Sequence, residues 1–193
     1  MTAARLFSAA VLLGMLLLVG CADGFLYPLL ILAAALVHEG GHLLAAFLCR
    51  VPLKSFSVHV AGLSLTYDTD GVSYLREIAV ILGGPLAGVT AAGAVLLLFG
   101  LDREGPFFFF FASLVMSVFN LLPASPLDGG ALLCALFSWG GRADLVPDVL
   151  RVTGVLSGVF VFAVSLAVQT FFGGNFSLLV VSVWLLYSLQ KTS

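Results

Sequence analysis

Charged side chains are the scarcest chemical class in this sequence. Asp, Glu, Lys and Arg make up only 9% of its 193 residues, against about 25% in an average soluble domain. Apolar residues make up 61%, and the mean hydropathy is +1.18. A soluble fold of this composition would expose large apolar patches and aggregate. The composition therefore excludes an ordinary soluble protein and indicates a polytopic membrane protein.

Basic residues and cysteines are also few. The formal net charge is −2, so no basic face is available for nucleic acid, and we expect no nucleic-acid partner. The three cysteines, Cys21, Cys49 and Cys134, are scattered and odd in number. This pattern excludes a disulfide framework and a C-x-x-C metal site. We interpret the cysteines as small apolar packing residues.

Long apolar runs dominate what is present, and about 20 apolar residues suffice to cross a bilayer. Between the second and third runs, the alternation in residues 53–67 predicts a small β-hairpin. After the fourth run, Pro123 and Pro126 prevent a regular helix, so the backbone must unwind where it faces protein or a water-filled cavity. We predict an all-α polytopic membrane protein with about six transmembrane helices and a broken segment after the fourth, as a single domain over residues 1–193. The predicted spans are residues 5–20, 25–49, 72–100, 106–122, 149–171 and 176–190.

The first run has two interpretations. Residues 18–21 resemble a lipoprotein cleavage box ending at Cys21, which would make residues 5–20 a signal peptide. However, the segment before the run contains a single basic residue, Arg5, and multispan proteins normally retain such a segment as an anchor. We therefore favour a first spanning helix.

The basic residues predict the topology. With the N-terminus in the cytoplasm and six spans, only Arg103 lies outside, which obeys the positive-inside rule. Both termini are then cytoplasmic, and the ends of the second and fourth spans lie on the same, cytoplasmic, side. The basic residues that this topology places on the cytoplasmic side are Arg5, Arg50, Lys54, Arg76, Arg142, Arg151 and Lys191.

The segment H-E-G-G-H at 38–42 lies in the second span. On a helix, His38 and His42 share one face, so both imidazoles can bind one metal ion. The pattern H-E-x-x-H is typical of zinc peptidases, in which a glutamate such as Glu39 handles the proton of water. Ionisable residues within a span are costly and indicate function. The alternative, two histidines in ordinary polar contacts, fits this pattern poorly.

A catalytic zinc site usually has three protein ligands. Asp128 is the best third ligand, because it follows the helix break at a comparable depth, whereas the other cytoplasmic acids lie at span ends or in loops. Asn120, just before the break, is the candidate donor to a developing oxyanion; the alternative is that it caps the broken helix. His59 stands alone in a strand-like stretch, so an interfacial role is favoured over metal binding.

Three motifs together resemble the site-2 protease family of intramembrane zinc metalloproteases: H-E-G-G-H at 38–42, G-G-P-L-A-G at 83–88 and N-L-L-P-A-S-P-L-D-G at 120–129. The middle motif, taken by itself, predicts close helix packing through Gly84 and Gly88. The six-span layout is similar to the bacterial branch that includes the sporulation sigma-factor protease. Neither a PDZ nor a CBS domain is expected, which leaves substrate choice to the hairpin, to a lipid-side gate or to a regulatory membrane partner.

The resemblance implies hydrolysis of peptide bonds in membrane-tethered proteins, such as regulatory factors or signal-peptide remnants. Cleavage would occur near the cytoplasmic face of a bacterial cell membrane. It also implies that the hairpin holds substrate as an added strand, with Val58, Val60, Leu63 and Leu65 along its edge. The implied site has one zinc ion per chain held by His38, His42 and Asp128, with Glu39 as the base and Asn120 as an oxyanion or substrate contact.

Two other classes of function stay open from the sequence. A membrane metal transporter could use the histidines as a transit site, but it should carry polar ligands through the membrane or paired repeats. Here the polar groups cluster at one depth. A non-catalytic metal-binding membrane protein would need no base, so Glu39 argues against it.

Overall fold

The computed structural model describes residues 25–59, 62–125 and 127–172, so the predicted spans 5–20 and 176–190 lie outside the described residues. By its contacts, the chain divides between Val118 and Phe119 into two compact units. The elements, in chain order, are α1 (Leu26–Cys49), β1 (Leu53–His59), β2 (Gly62–Tyr67), α2 (Tyr74–Phe99), α3 (Glu104–Asn120), α4 (Asp128–Trp139), a 3₁₀ turn (Ala143–Leu145) and α5 (Val146–Phe172).

Three segments of the described residues are long and apolar enough to cross a membrane: Leu26–Cys49, Tyr74–Phe99 and Ala143–Thr170. The helix α3 is apolar but has only 17 residues. Large apolar side chains point outward on these helices, as at Leu97, which is 86% exposed. Such a surface would aggregate in water but is satisfied by lipid. The mostly helical structure agrees with an all-α membrane protein, while the count of six spans stays a prediction.

Proline and a left-handed residue mark the ends of α1. Pro28 is tolerated because it lies in the first turn, where its missing N–H would have had no intrahelical partner. The helix ends at Cys49, and Arg50 adopts the left-handed conformation with φ 56° and ψ 40°. The Arg50 N–H donates to the Phe47 carbonyl at 3.2 Å. The chain therefore turns sharply out of the helix before the first strand.

The two strands form an antiparallel sheet whose register runs from Ser55 opposite Thr66 to His59 opposite Gly62. An irregularity between Leu53 and Ser55 interrupts the ladder. At the base of the hairpin, the Asp68 N–H donates to the Pro52 carbonyl at 2.9 Å. A buried cluster of Ala46, Val51 and Val80, with Cys49, Tyr67 and Val72 packed against it, attaches this base to α1 and α2.

Helices α1 and α2 pack against each other along small residues. Four of the five buried residues of α2 recur every fourth position, at Val80, Gly84, Gly88 and Ala92, and the fifth is Pro85. The spacing places the four on one face. The closest approach is between Gly41 and Gly83. A Cβ atom on Gly83 would lie 2.6 Å from the Gly41 carbonyl oxygen and 2.7 Å from the Ala45 Cβ. Only glycine permits the two backbones to come this close.

The second unit begins at the end of α3. That helix ends at Asn120, two residues before the predicted limit of the fourth span, because Pro123 disfavours helical backbone just before it. Ala124, Leu127 and Val161 form a buried cluster, with Phe119 and Leu122 packed against it. The cluster connects the broken segment to α5, which begins at Val146, three residues earlier than predicted.

Candidate metal centre

The two histidines of H-E-G-G-H lie together on the buried face of α1. His38 and His42 are only 4% and 7% exposed, and their Nε2 atoms are 3.3 Å apart. Two nitrogen ligands about 2.05 Å from a tetrahedral zinc ion would be about 3.3 Å apart. The observed distance also suits a hydrogen bond between the rings, so it is compatible with a metal but does not by itself require one.

The backbone of α2 determines which nitrogen of His42 carries the proton. The Nδ1 atom of His42 lies 2.8 Å from the Val80 carbonyl oxygen. A carbonyl can only accept, so Nδ1 donates this hydrogen bond. In the neutral ring, Nε2 then keeps its lone pair and faces His38. A histidine whose other nitrogen donates to a carbonyl is the arrangement that metal-binding histidines usually have.

Gly84 is the second α2 residue that contacts His42. A Cβ atom at this position would clash with Nε2 and would lie 2.6 Å from Cδ2 and 2.7 Å from Cε1. These three ring atoms therefore occupy the space that any side chain at position 84 would need. Gly84 therefore lies at the contact between α2 and α1, as expected, and it meets the imidazole of His42 there, whereas Gly83 meets the α1 backbone.

Asp128 begins α4, and two glycines shape the segment around it. The turn before the helix is closed by the Leu127 N–H, which donates to the Ala124 carbonyl at 2.8 Å. A Cβ on Gly129 would clash with the Leu121 and Leu122 carbonyls, and one on Gly130 would lie 2.7 Å from the Ala124 carbonyl oxygen. The broken segment thus folds back over the first turn of α4. The N-terminus of a helix also favours a negatively charged side chain such as Asp128.

His38 and His42, in the first unit, offer two nitrogen ligands to a metal ion, side by side on the buried face of α1. Asp128, in the second unit, stays the predicted third ligand. Two imidazoles and a carboxylate are a donor set that catalytic zinc sites use. The donor set excludes a calcium or magnesium site, since those ions prefer oxygen ligands throughout. The residues present therefore fit zinc.

The other predicted site residues have these places. Glu39 follows His38 on α1 and is half-buried, and Asn120 is the half-buried last residue of α3. Val58 pairs with Leu63 across the hairpin, and Leu65 pairs with Phe56. Val60 lies outside the described residues. The roles of all these residues stay predictions.

The contacts that Val80 and Gly84 make with His42 could not be read from the sequence motifs. Val80 carries no chemical signal, because its contribution comes from the backbone carbonyl. A partial signal was available for Gly84: Gly83 and Gly84 are adjacent, so they face different directions on a helix and must meet different parts of a neighbouring helix.

Comparison with known proteins adds sequence and fold similarity, although no protein-family model matches the chain. The chain is similar to stage IV sporulation protein FB of Bacillus subtilis, with 34% identity over 124 residues that cover 62% of this chain and 43% of that protein. It is also 28% identical over 126 residues to a Synechocystis sp. protein named as a candidate zinc metalloprotease, covering 57% of this chain and 31% of that protein. The chain thus spans less than half the length of either relative.

The fold is similar to that of the site-2 protease from Methanocaldococcus jannaschii. The TM-score is 0.69 at 19% sequence identity, and the alignment covers 98% of this chain and 88% of the solved one. At this identity the likeness establishes the fold. The resemblance to site-2 proteases that the three motifs predict is therefore confirmed.

Proposed function

We propose that this chain is an intramembrane zinc metalloprotease that hydrolyses peptide bonds of membrane-anchored proteins. The observation that carries the proposal is the pair His38 and His42, whose Nε2 atoms lie 3.3 Å apart on the buried face of α1, with Glu39 adjacent to the first of them. Asp128 is the proposed third ligand. Similarity in sequence to two proteins, one named as a candidate zinc metalloprotease and one as a sporulation protein, supports the same conclusion. The proposed site holds one zinc ion per chain.

The chain's own residues supply binding and proton transfer. When bound, zinc supplies Lewis acidity, which makes water a better nucleophile at neutral pH and polarises a carbonyl group. Glu39 accepts a proton as the water oxygen attacks the carbonyl carbon. As the C–N bond breaks, Glu39 returns that proton to the leaving nitrogen. The Asn120 amide donates a hydrogen bond to the carbonyl oxygen as negative charge develops on it.

The substrate must be extended where it is cut, because a helical backbone hides its peptide bonds in internal hydrogen bonds. Within the part of the chain that the structure describes, the sheet has two strands, so each strand has an outer edge in that sheet to which a third strand could add. We propose that substrate adds as a third strand at the edge of the hairpin, along Val58, Val60, Leu63 and Leu65. The proposed cleavage site lies near the cytoplasmic face of a bacterial cell membrane. Both termini of the protease are cytoplasmic in the same proposal. A regulatory membrane partner would select when substrate enters.

A membrane-anchored reporter and the variant Glu39→Gln test the proposal. The purified full chain in detergent should cleave the reporter and retain zinc. Glu39→Gln should retain zinc and lose cleavage by about 10²–10⁴-fold, since a general base contributes that much. Glu104→Gln is the matched control, because Glu104 is exposed in the first turn of α3 and the amide can still accept from Tyr27.

The outcomes separate the functions that the sequence left open. Equal cleavage by wild type and Glu39→Gln would refute the role of Glu39. Zinc flux into proteoliposomes by both forms, without cleavage, would favour a transporter. Zinc retention with neither cleavage nor flux by the wild type, with and without added membrane extract, would favour a non-catalytic metal-binding protein.

A further inference from the structure

The ring of His42 is held from two directions by consecutive turns of α2. The Val80 carbonyl accepts the Nδ1 proton at 2.8 Å. Gly84, one turn later on the same face, leaves open the space that the ring fills. We propose that Gly84 is a positioning residue for the metal centre. By leaving room for the ring against the Val80 carbonyl, it orients the Nε2 lone pair of His42 and so sets the affinity for zinc. This inference rests on the proposed zinc site.

The geometry predicts what a single methyl group would do. Carbon atoms in ordinary contact are about 3.5–4.0 Å apart, whereas a Cβ at position 84 would be 2.6 Å from Cδ2 and 2.7 Å from Cε1 of His42. The ring must therefore shift by about 1 Å or more. His42 is only 7% exposed, so the ring has little free space to move into. A shift of this size breaks the hydrogen bond to Val80 or turns Nε2 away from His38.

The other glycines of α2 show that this contact is specific to position 84. A Cβ on Gly83 would meet the backbone of Gly41, and one on Gly88 would meet the Ser117 hydroxyl. A Cβ on Gly93 has nothing within 4 Å. Only Gly84, among these four, contacts a proposed zinc ligand. Alanine at these positions therefore separates loss of helix packing from loss of ligand orientation.

Zinc affinity of the purified full chain in detergent is the decisive measurement. Competition with a chelator of known affinity should show that Gly84→Ala binds Zn²⁺ about 10–100-fold more weakly than wild type, the range seen when residues that orient metal ligands are changed. Gly93→Ala should bind as wild type does. Gly88→Ala, whose added methyl meets Ser117, should lower the melting temperature of the apo-protein while its zinc affinity changes less than threefold.

Substitution with Co²⁺ provides a spectroscopic readout. The visible absorption of bound Co²⁺ reports ligand geometry, so its band should shift in Gly84→Ala but not in Gly88→Ala or Gly93→Ala. Unchanged zinc affinity and an unchanged cobalt spectrum in Gly84→Ala would overturn the inference. If the wild type itself binds no Zn²⁺, the proposed function and this inference both fail. If the wild type binds Zn²⁺ and Gly84→Ala binds it equally well with an unchanged cobalt spectrum, only this inference fails.

The wild-type chain provides a second test that does not depend on folding of a variant. In ¹⁵N-histidine-labelled apo-protein at a pH where imidazole is neutral, His42 should carry its proton on Nδ1. Assignment follows from His59→Gln and His38→Gln. A protonated Nε2 on His42 would contradict the hydrogen bond to Val80 and thereby the proposed orientation.

Discussion

The two glycines inside H-E-G-G-H should respond in opposite ways to the same substitution. Gly40 is exposed, and a Cβ there would have nothing within 4 Å. A Cβ on Gly41 would clash with the Gly83 carbonyl and would lie 2.5 Å from the Ala87 Cβ. Because carbon atoms in contact are about 3.5–4.0 Å apart, α1 and α2 would have to separate by about 1 Å. Gly40→Ala and Gly41→Ala are therefore a matched pair.

The expected magnitude follows from two opposing effects. Alanine favours a helix over glycine by up to about 1 kcal/mol, and overpacking a tight contact costs about 1–3 kcal/mol. The neighbour of Gly41 is backbone, which cannot rotate away, so we expect the upper part of that range. Gly40→Ala should be neutral or gain up to about 1 kcal/mol, and Gly41→Ala should lose about 1–2 kcal/mol net.

Unfolding of the full chain in mixed micelles with increasing SDS, followed by near-ultraviolet circular dichroism, measures the two free energies. The gap between the variants, about 2–3 kcal/mol, is the more reliable quantity. Residual helix in the SDS-unfolded state reduces the gain in stability that the helix propensity of alanine provides. The reduction is the same in both variants, so it cancels in the difference between their unfolding free energies. If Gly41→Ala is as stable as Gly40→Ala, the close approach of α1 and α2 at this point is wrong.

Two further predictions concern the third ligand and the end of α1. Asp128→Asn should lower zinc affinity by more than about 10-fold, because an amide is a weaker ligand than a carboxylate for a dication; a chelator competition that shows wild-type affinity would remove Asp128 from the site. Arg50→Gly should raise the unfolding free energy by up to about 1 kcal/mol. The left-handed conformation of Arg50 (φ 56°) costs a residue with a Cβ about 1–2 kcal/mol and costs glycine almost nothing. The greater entropy of glycine in the unfolded chain offsets part of that gain. An unchanged or lower unfolding midpoint of Arg50→Gly in the same SDS titration would contradict the left-handed conformation of Arg50.

Most of the helices were predictable because hydropathy and helix stop signals act locally. The predicted spans 25–49 and 72–100 match α1 and α2 to within two residues. The helix α3 ends two residues before the predicted fourth span does, since the residue before a proline disfavours helical backbone. The hairpin was predicted from alternation in residues 53–67, since successive side chains of a strand point to opposite faces; the strands β1 and β2 lie within that stretch.

The candidate site was predictable in part. The sequence places His38 and His42 on one face because the helical repeat is a property of the covalent backbone. It also singled out Asp128, since an acid beside a helix break at membrane depth is hard to explain otherwise. The backbone acceptor for His42 could not be predicted, because every residue carries a carbonyl and nothing in the side chain of Val80 distinguishes it.

The sequence by itself determined that the chain is suited to lipid, where its helical periodicity lies and the side-chain chemistry of the proposed zinc ligands, because composition, backbone repeat and side-chain type are all local properties. Tertiary structure decided which glycine of α2 meets the α1 backbone and which one meets the imidazole of His42. Gly83 and Gly84 are chemically identical neighbours, and only the contact between α1 and α2 gives them different roles. That contact joins residues far apart in the chain, so it depends on how whole helix faces fit together and not on any local pattern.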